Sequence, residues 1–172
     1  MINKVKTLGA FCGTAALFIA FVVANPAVAD GVVHRISAGT PDQCVALGYW
    51  PGCDANWSLV ALQFDDGTVT GQFTDRWAGA QGVQGEVTCL VVDGNEAWVS
   101  GTAWYFVRGK VFEFSFFVKV VDNGNSANDP SDEISYTHGT PNPSFNCEYI
   151  HEHPSPVFEQ TWAVQQGQVT ID

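Results

Sequence analysis

The sequence predicts an all-β protein of about eight antiparallel strands closed into a barrel, with a two-sheet β-sandwich as the alternative. Three observations carry the prediction. Two Asp-Gly turns, at 66–67 and 93–94, each separate a pair of strand-length apolar runs, and Asp-Gly supplies the positive φ that tight hairpins need. Residues 111–121, "VFEFSFFVKVV", alternate with a period of two. Phe112, Phe114, Phe116, Val118 and Val120 fall on one face, Glu113, Ser115 and Lys119 on the other, and Phe117 is an exception. That period marks a half-buried antiparallel strand. Finally, no stretch sustains a helical period, and "PDQCVALGY" (41–49) offers one turn of helix at most.

Taken in order, the chain opens with Lys4 and Lys6, an apolar stretch from Leu8 to Ala24, and "AVA" ending at Ala29. This is the pattern of a secretory signal peptide over residues 1–29, with Pro26 and the small residues Ala27 and Ala29 favouring cleavage over retention as an anchor. Phe11 precedes Cys12 where a lipoprotein signal has a small residue. Cleavage leaves residues 30–172 as one domain with enough chain for a core. It also removes two lysines, taking the formal charge from −11 to −13. That acidity disfavours nucleic acid and anionic membrane surfaces as partners, because both need a basic patch. No later apolar run is long enough to span a bilayer.

The strands then follow. "GVVHRIS" begins the domain, "WSLVALQF" and "TVTGQFTDRW" flank "DDG", and "GEVTCLVV" and "AWVSGTAWYF" flank "DGNE". "RGK" leads into 111–121, "DEISYTH" comes after an acidic loop, and "GQVTID" ends the chain. Consecutive hairpins imply an up-and-down meander whose last strand closes on the first. Residues 139–166 are Pro-rich without clean alternation, too long for an idle connection, so they fold over a barrel end or carry function. Four cysteines remain after cleavage, Cys44, Cys53, Cys89 and Cys147, and an even number in an exported chain reads as two disulfides. Three pairings exist; Cys44–Cys53 is the local choice, leaving Cys89–Cys147 to close the longer loop.

The motifs "DGTVTGQFTD", "VQGEVTCLVVDGNEAWVSG", "FVKVVDNG…NDPSDEIS" and "GQVTID" together resemble a small β-barrel domain that recurs in exported bacterial proteins, alone or appended to larger surface proteins. The resemblance covers residues 58–137 and the last six. It implies the fold and carries over no catalytic residue. Neither the 44–53 loop nor "IHEHPSP" belongs to the shared pattern, and Asp93 departs from it before the Gly-Asn turn.

Four groups of residues could carry function. The loop "VVDNGNSANDPSDEIS" (120–135) spaces Asp122 and Glu133 as the first and last ligands of an EF-hand, yet Gly124 and Ala127 stand at the wrong positions and no helices flank it. An irregular calcium site using Asp122, Asn125, Asp129 and Asp132 competes with a turn whose Asn and Asp side chains cap their own backbone. His151 and His153 sit at i and i+2, so an extended chain would aim both the same way toward a transition metal, with His34 or His138 as a third ligand. No G-x-S-x-G or other nucleophile motif marks a hydrolase, and eighteen acids make any proposed carboxylate pair uninformative. Trp98 and Trp104 share strand parity and either fill the barrel or form a stacking platform for sugar. Tyr49 and Trp50, between Cys44 and Cys53, form an aromatic anchor.

The expected function is a secreted, non-catalytic binding module for an extracellular surface, glycan or protein partner, with no cofactor required. The alternatives are a lipocalin-like carrier of a small apolar ligand and a metal-dependent enzyme built on His151 and His153.

Overall fold

A computed structural model describes residues 31–41, 56–76, 82–126, 128–164 and 167–172. All lie in one compact unit, Gly31–Asp172. The first six strands form the expected meander: β1 (Val32–Pro41), β2 (Asn56–Phe64), β3 (Val69–Arg76), β4 (Val83–Asp93), β5 (Glu96–Val107) and β6 (Lys110–Val121). Each is antiparallel to the next. The two Asp-Gly turns are where they were expected, with Gly67 at φ 83° and Gly94 at φ 61°. A non-glycine residue there would bear a steric penalty.

Four short strands complete the sheet: β7 (Glu133–Ser135), β8 (His138–Thr140), β9 (Thr161–Ala163) and β10 (Gln168–Ile171). Along the sheet the order is β10-β1-β2-β3-β4-β5-β6-β7-β9, with β8 off that path and paired to β6. The last strand meets the first as expected, with Ile36 opposite Ile171 and Gly39 opposite Gln168. The sheet curls into a half-barrel, and among the described residues no ladder joins β10 to β9. The all-β antiparallel class therefore holds, and the ring of backbone hydrogen bonds is interrupted at one seam.

Curling has a local cause in β4 and β5. The register shifts between Val87 and Cys89, a bulge opposite Ser100 and Gly101. A Cβ on Gly101 would lie 1.9 Å from the Glu86 carbonyl oxygen, so only glycine allows the strands to approach so closely there. The concave face then gathers the alternating apolar positions: Ile36, Leu59, Phe73, Val87, Val99, Phe116, Val118 and Val169 are all fully or almost fully buried. Phe73 and Phe116 stack at its centre with ring centroids 4.6 Å apart. Trp57 Nε1 donates to Thr137 Oγ1 at 3.1 Å, linking β2 to the β7–β8 connection.

Residues 139–164 of the Pro-rich segment are folded, as a segment too long for an idle connection should be. They contribute β9 and two short helices, α1 (Cys147–Glu152) and α2 (Pro156–Glu159). Asn146 caps α1 by accepting from the Tyr149 amide, and Ser155 caps α2, whose first residue is a proline. Both helices lie on the convex face of β4–β6, where a second core of Trp98, Phe117, Cys147 and Ile150 forms. This explains the exception in the alternation of β6: Phe117 faces outward and is covered by Phe158 and His138. The Cys89–Cys147 disulfide ties α1 to β4, and Ser100 Oγ accepts from the Cys147 amide at 2.9 Å. Cys44 and Cys53 lie outside the described residues.

Candidate functional site

The acidic loop faces the seam. Asp132 is buried; its Oδ2 accepts from the Val169 amide at 2.7 Å and its Oδ1 from the Asn123 amide at 2.9 Å. Asp122 Oδ2 accepts from the Ile171 amide at 3.0 Å, while its Oδ1 accepts from Gly124 N at 2.9 Å. Val169 and Ile171 are alternate residues of β10, and their N–H groups face away from β1. Two carboxylates thus replace the strand that would close the ring. Asp129 accepts from the Ser126 amide within its own turn, and Asn125 is hydrogen-bonded to Gln168. All four candidate calcium residues thus already accept hydrogen bonds, Asp122, Asp129 and Asp132 from backbone amides and Asn125 from the Gln168 side chain.

The histidine pair does not have the geometry expected of it. Residues 147–152 are helical rather than extended, so His151 and His153 diverge instead of sharing a face. His151 packs edge-on to Trp98 with centroids 4.6 Å apart and lies 3.8 Å from Asp93. His153 stacks on Tyr149. His138 stacks on Phe117 instead of joining either of them. Among the described residues no group of three or more His, Cys, Asp or Glu side chains is arranged to hold a metal ion.

Trp98 is not an exposed platform. It is 6 % exposed beneath α2, donating from Nε1 to Glu159 Oε1 at 3.1 Å, with Lys119 Nζ 4.7 Å from its ring centroid. Lys119, 7 % exposed, is itself held by Glu159 at 2.6 Å and Glu96 at 3.0 Å. Burial opposes its charge, but the hydrogen bonds and charges of the two glutamates prevail and hold its pKa above the ordinary value. This network fastens the cover to the convex face. His138 sits at the other edge of the same cover. Among the described residues its Nε2 is buried with no hydrogen-bond partner, and burial pushes its pKa below the ordinary value against an opposing hydrogen bond with the Val157 backbone. Tyr49 and Trp50 lie outside the described residues.

Trp104 remains, and it leads to the surface the sequence reading missed. It is half-buried on the convex face of β5, opposite Glu113, near the end of the β5–β6 hairpin. Among the described residues β5 has no pairing with β4 beyond Tyr105. Phe106, Val107, Val111 and Phe112 are all exposed, at 43–58 %; they are four of the ten exposed large hydrophobic residues among those described. On the concave side Tyr105 stacks on Phe112 at 5.3 Å and meets Phe114 edge-on at 5.9 Å. The ribbon is therefore apolar on both faces, which a solvated hairpin end does not need.

Its apex is also unusual. The turn is Arg108-Gly109, with φ 51° and 76°, and Arg108 is the one non-glycine residue of positive φ among those described. Asn, Asp or Gly would adopt that conformation more readily, and an ordinary side chain there costs roughly 1 kcal/mol. Strain of this kind gathers at working sites. Lys110 follows, so two of the five basic residues beyond residue 29 stand at this apex. The signal was present in the sequence: Phe106-Val107 and Val111-Phe112 put apolar residues at both strand parities around "RGK", where one face should be polar. No family model, curated protein or solved structure matches this chain, so the resemblance to exported barrel domains rests on its motifs alone.

Proposed function

We propose that this protein is an exported, non-catalytic binding module that engages an extracellular protein or glycan through the tip of its β5–β6 hairpin. One observation carries the reading: Phe106, Val107, Val111 and Phe112 are exposed around an apex bearing Arg108 and Lys110. Aromatic side chains with an adjacent arginine are the composition of interaction hot spots. The signal-like N-terminus and the Cys89–Cys147 bond support export. Apolar side chains filling the concave face weigh against a lipocalin-like carrier. The divergence of His151 and His153 weighs against a metal-dependent enzyme.

The test immobilises the protein and screens extracellular proteins and polysaccharides, alongside the Phe106→Ser/Val111→Ser variant. Binding by the native protein that the variant loses, at unchanged thermal stability, is the expected result. Partners retained equally by both proteins would overturn the reading.

A further inference from the structure

We propose that the outer edge of β6 from Lys110 to Phe114 receives an extended, acidic peptide segment of a partner protein as an added strand. The proposal rests on the hairpin-tip reading above and specifies how that surface binds. β8 covers β6 only at Ser115–Phe117, where Thr140, Gly139 and His138 sit opposite. Were β8 to continue, Pro141 would stand opposite Phe114 and Pro143 opposite Phe112. The protein's own chain turns away there instead: the Asn142 amide, which would face Glu113, donates to Thr140 Oγ1 at 3.1 Å, and the Ser144 amide donates to Asn142 Oδ1 at 3.1 Å. Among the described residues nothing else pairs with 110–114 on this side.

Val107 and Lys110 pair across a two-residue turn, and the alternation of an antiparallel ladder then turns the N–H groups of Val111 and Glu113 outward. Unpaired donors and acceptors along an apolar strand are a template for another strand. Exposed Val111 and Phe112 supply apolar contacts on the two faces. Charge selects the partner. Arg108 and Lys110 stand together on a chain of net charge −11, so a segment bearing carboxylates is attracted here and repelled by most of the remaining surface. A membrane-dipping hairpin would carry its apolar residues at the apex and its cations behind, the reverse of the order found.

The test titrates the isotope-labelled protein with a blocked octapeptide of alternating Glu and Val, and with its Lys/Val counterpart. Strand addition predicts shifts and slowed exchange at the Val111 and Glu113 amides with the Glu/Val peptide. Affinity should be at least about ten-fold weaker for the Lys/Val peptide and for the Arg108→Glu/Lys110→Glu variant. Glu113→Pro should abolish the amide effects while the core resonances stay in place. Peptide binding that leaves the Val111 and Glu113 amides unprotected overturns strand addition but leaves the docking tip standing. No binding of either peptide also overturns it, and the partner screen with Phe106→Ser/Val111→Ser then decides separately on the tip. Protection of the same amides by self-association, seen in sedimentation without peptide, overturns it in favour of a second copy. Capture by phosphatidylglycerol vesicles in place of the peptide overturns it in favour of a lipid surface.

Discussion

β10 and β6 each present strand edge that no strand covers among the described residues, and the protein treats the two in opposite ways. At β10 the outward amides of Val169 and Ile171 are met by the carboxylates of Asp132 and Asp122. At β6 the edge beyond Ser115 is left open, and the local chain carries Pro141 and Pro143 where a covering strand would continue. One edge is closed with anions from a loop; the other is flanked by cations and apolar side chains. The difference shows that an acidic cluster can serve closure while a hairpin of ordinary sequence keeps its outer edge unpaired among the described residues. Edges are hazards unless capped, so one left uncapped merits a functional explanation.

The largest effect should come from breaking the capped edge. Asp132→Ala removes a buried acceptor for two amides and should lower stability by about 3 kcal/mol. Asp122→Ala, more exposed, should lower it by about 2 kcal/mol. Chemical denaturation of each variant checks both values. Chelation by EDTA should leave the native midpoint unchanged, since the carboxylates are already satisfied by backbone donors. A calcium-dependent midpoint would break the comparison at its first term.

Next is the helical cover on the convex face. Glu159→Ala leaves Lys119 buried with Glu96 alone and removes the acceptor of Trp98 Nε1, so a loss of roughly 2 kcal/mol is expected in the same assay. His138 stacks on Phe117 at the end of β8 away from the open edge. Its folded pKa lies below the unfolded value near 6.5, so the folded state favours the neutral ring. The corresponding stability is present above about pH 6.5 and declines as pH falls below it. His138→Phe should flatten that part of the stability profile, measured by thermal unfolding between about pH 5 and pH 7, roughly around the ordinary histidine value. The smallest effect belongs to the open edge. Phe106→Ser/Val111→Ser should change stability by no more than about 0.5 kcal/mol, because exposed side chains at a hairpin end support little packing. A large loss there would make the tip structural and remove the contrast.

Much of this was legible beforehand. The six-strand meander followed from period-two alternation and Asp-Gly turns, both local signals. Pairing of the last strand with the first followed from topology, whereas Cys89–Cys147 was one partner set among three possible pairings until the structure placed the two cysteines together. The convex cover was not legible, because helices of six and four residues show no periodicity and draw their stability from Cys147, Ile150 and Phe158 packing on the sheet. For the same reason His151 and His153 looked extended. Asp122 and Asp132 resembled ligands because a carboxylate that will accept from a backbone amide is chemically identical to one that will bind an ion. Only the position of Val169 and Ile171, far along the chain, separates the two cases.

The most direct test is amide hydrogen exchange at Val169 and Ile171 in the native protein and in Asp122→Asn/Asp132→Asn. Closure by carboxylates predicts protection of both amides in the native protein. It predicts that the variant loses that protection while Leu59, Val99 and Val118 in the core remain protected. Unprotected native amides, or protection that survives the double substitution, would contradict it.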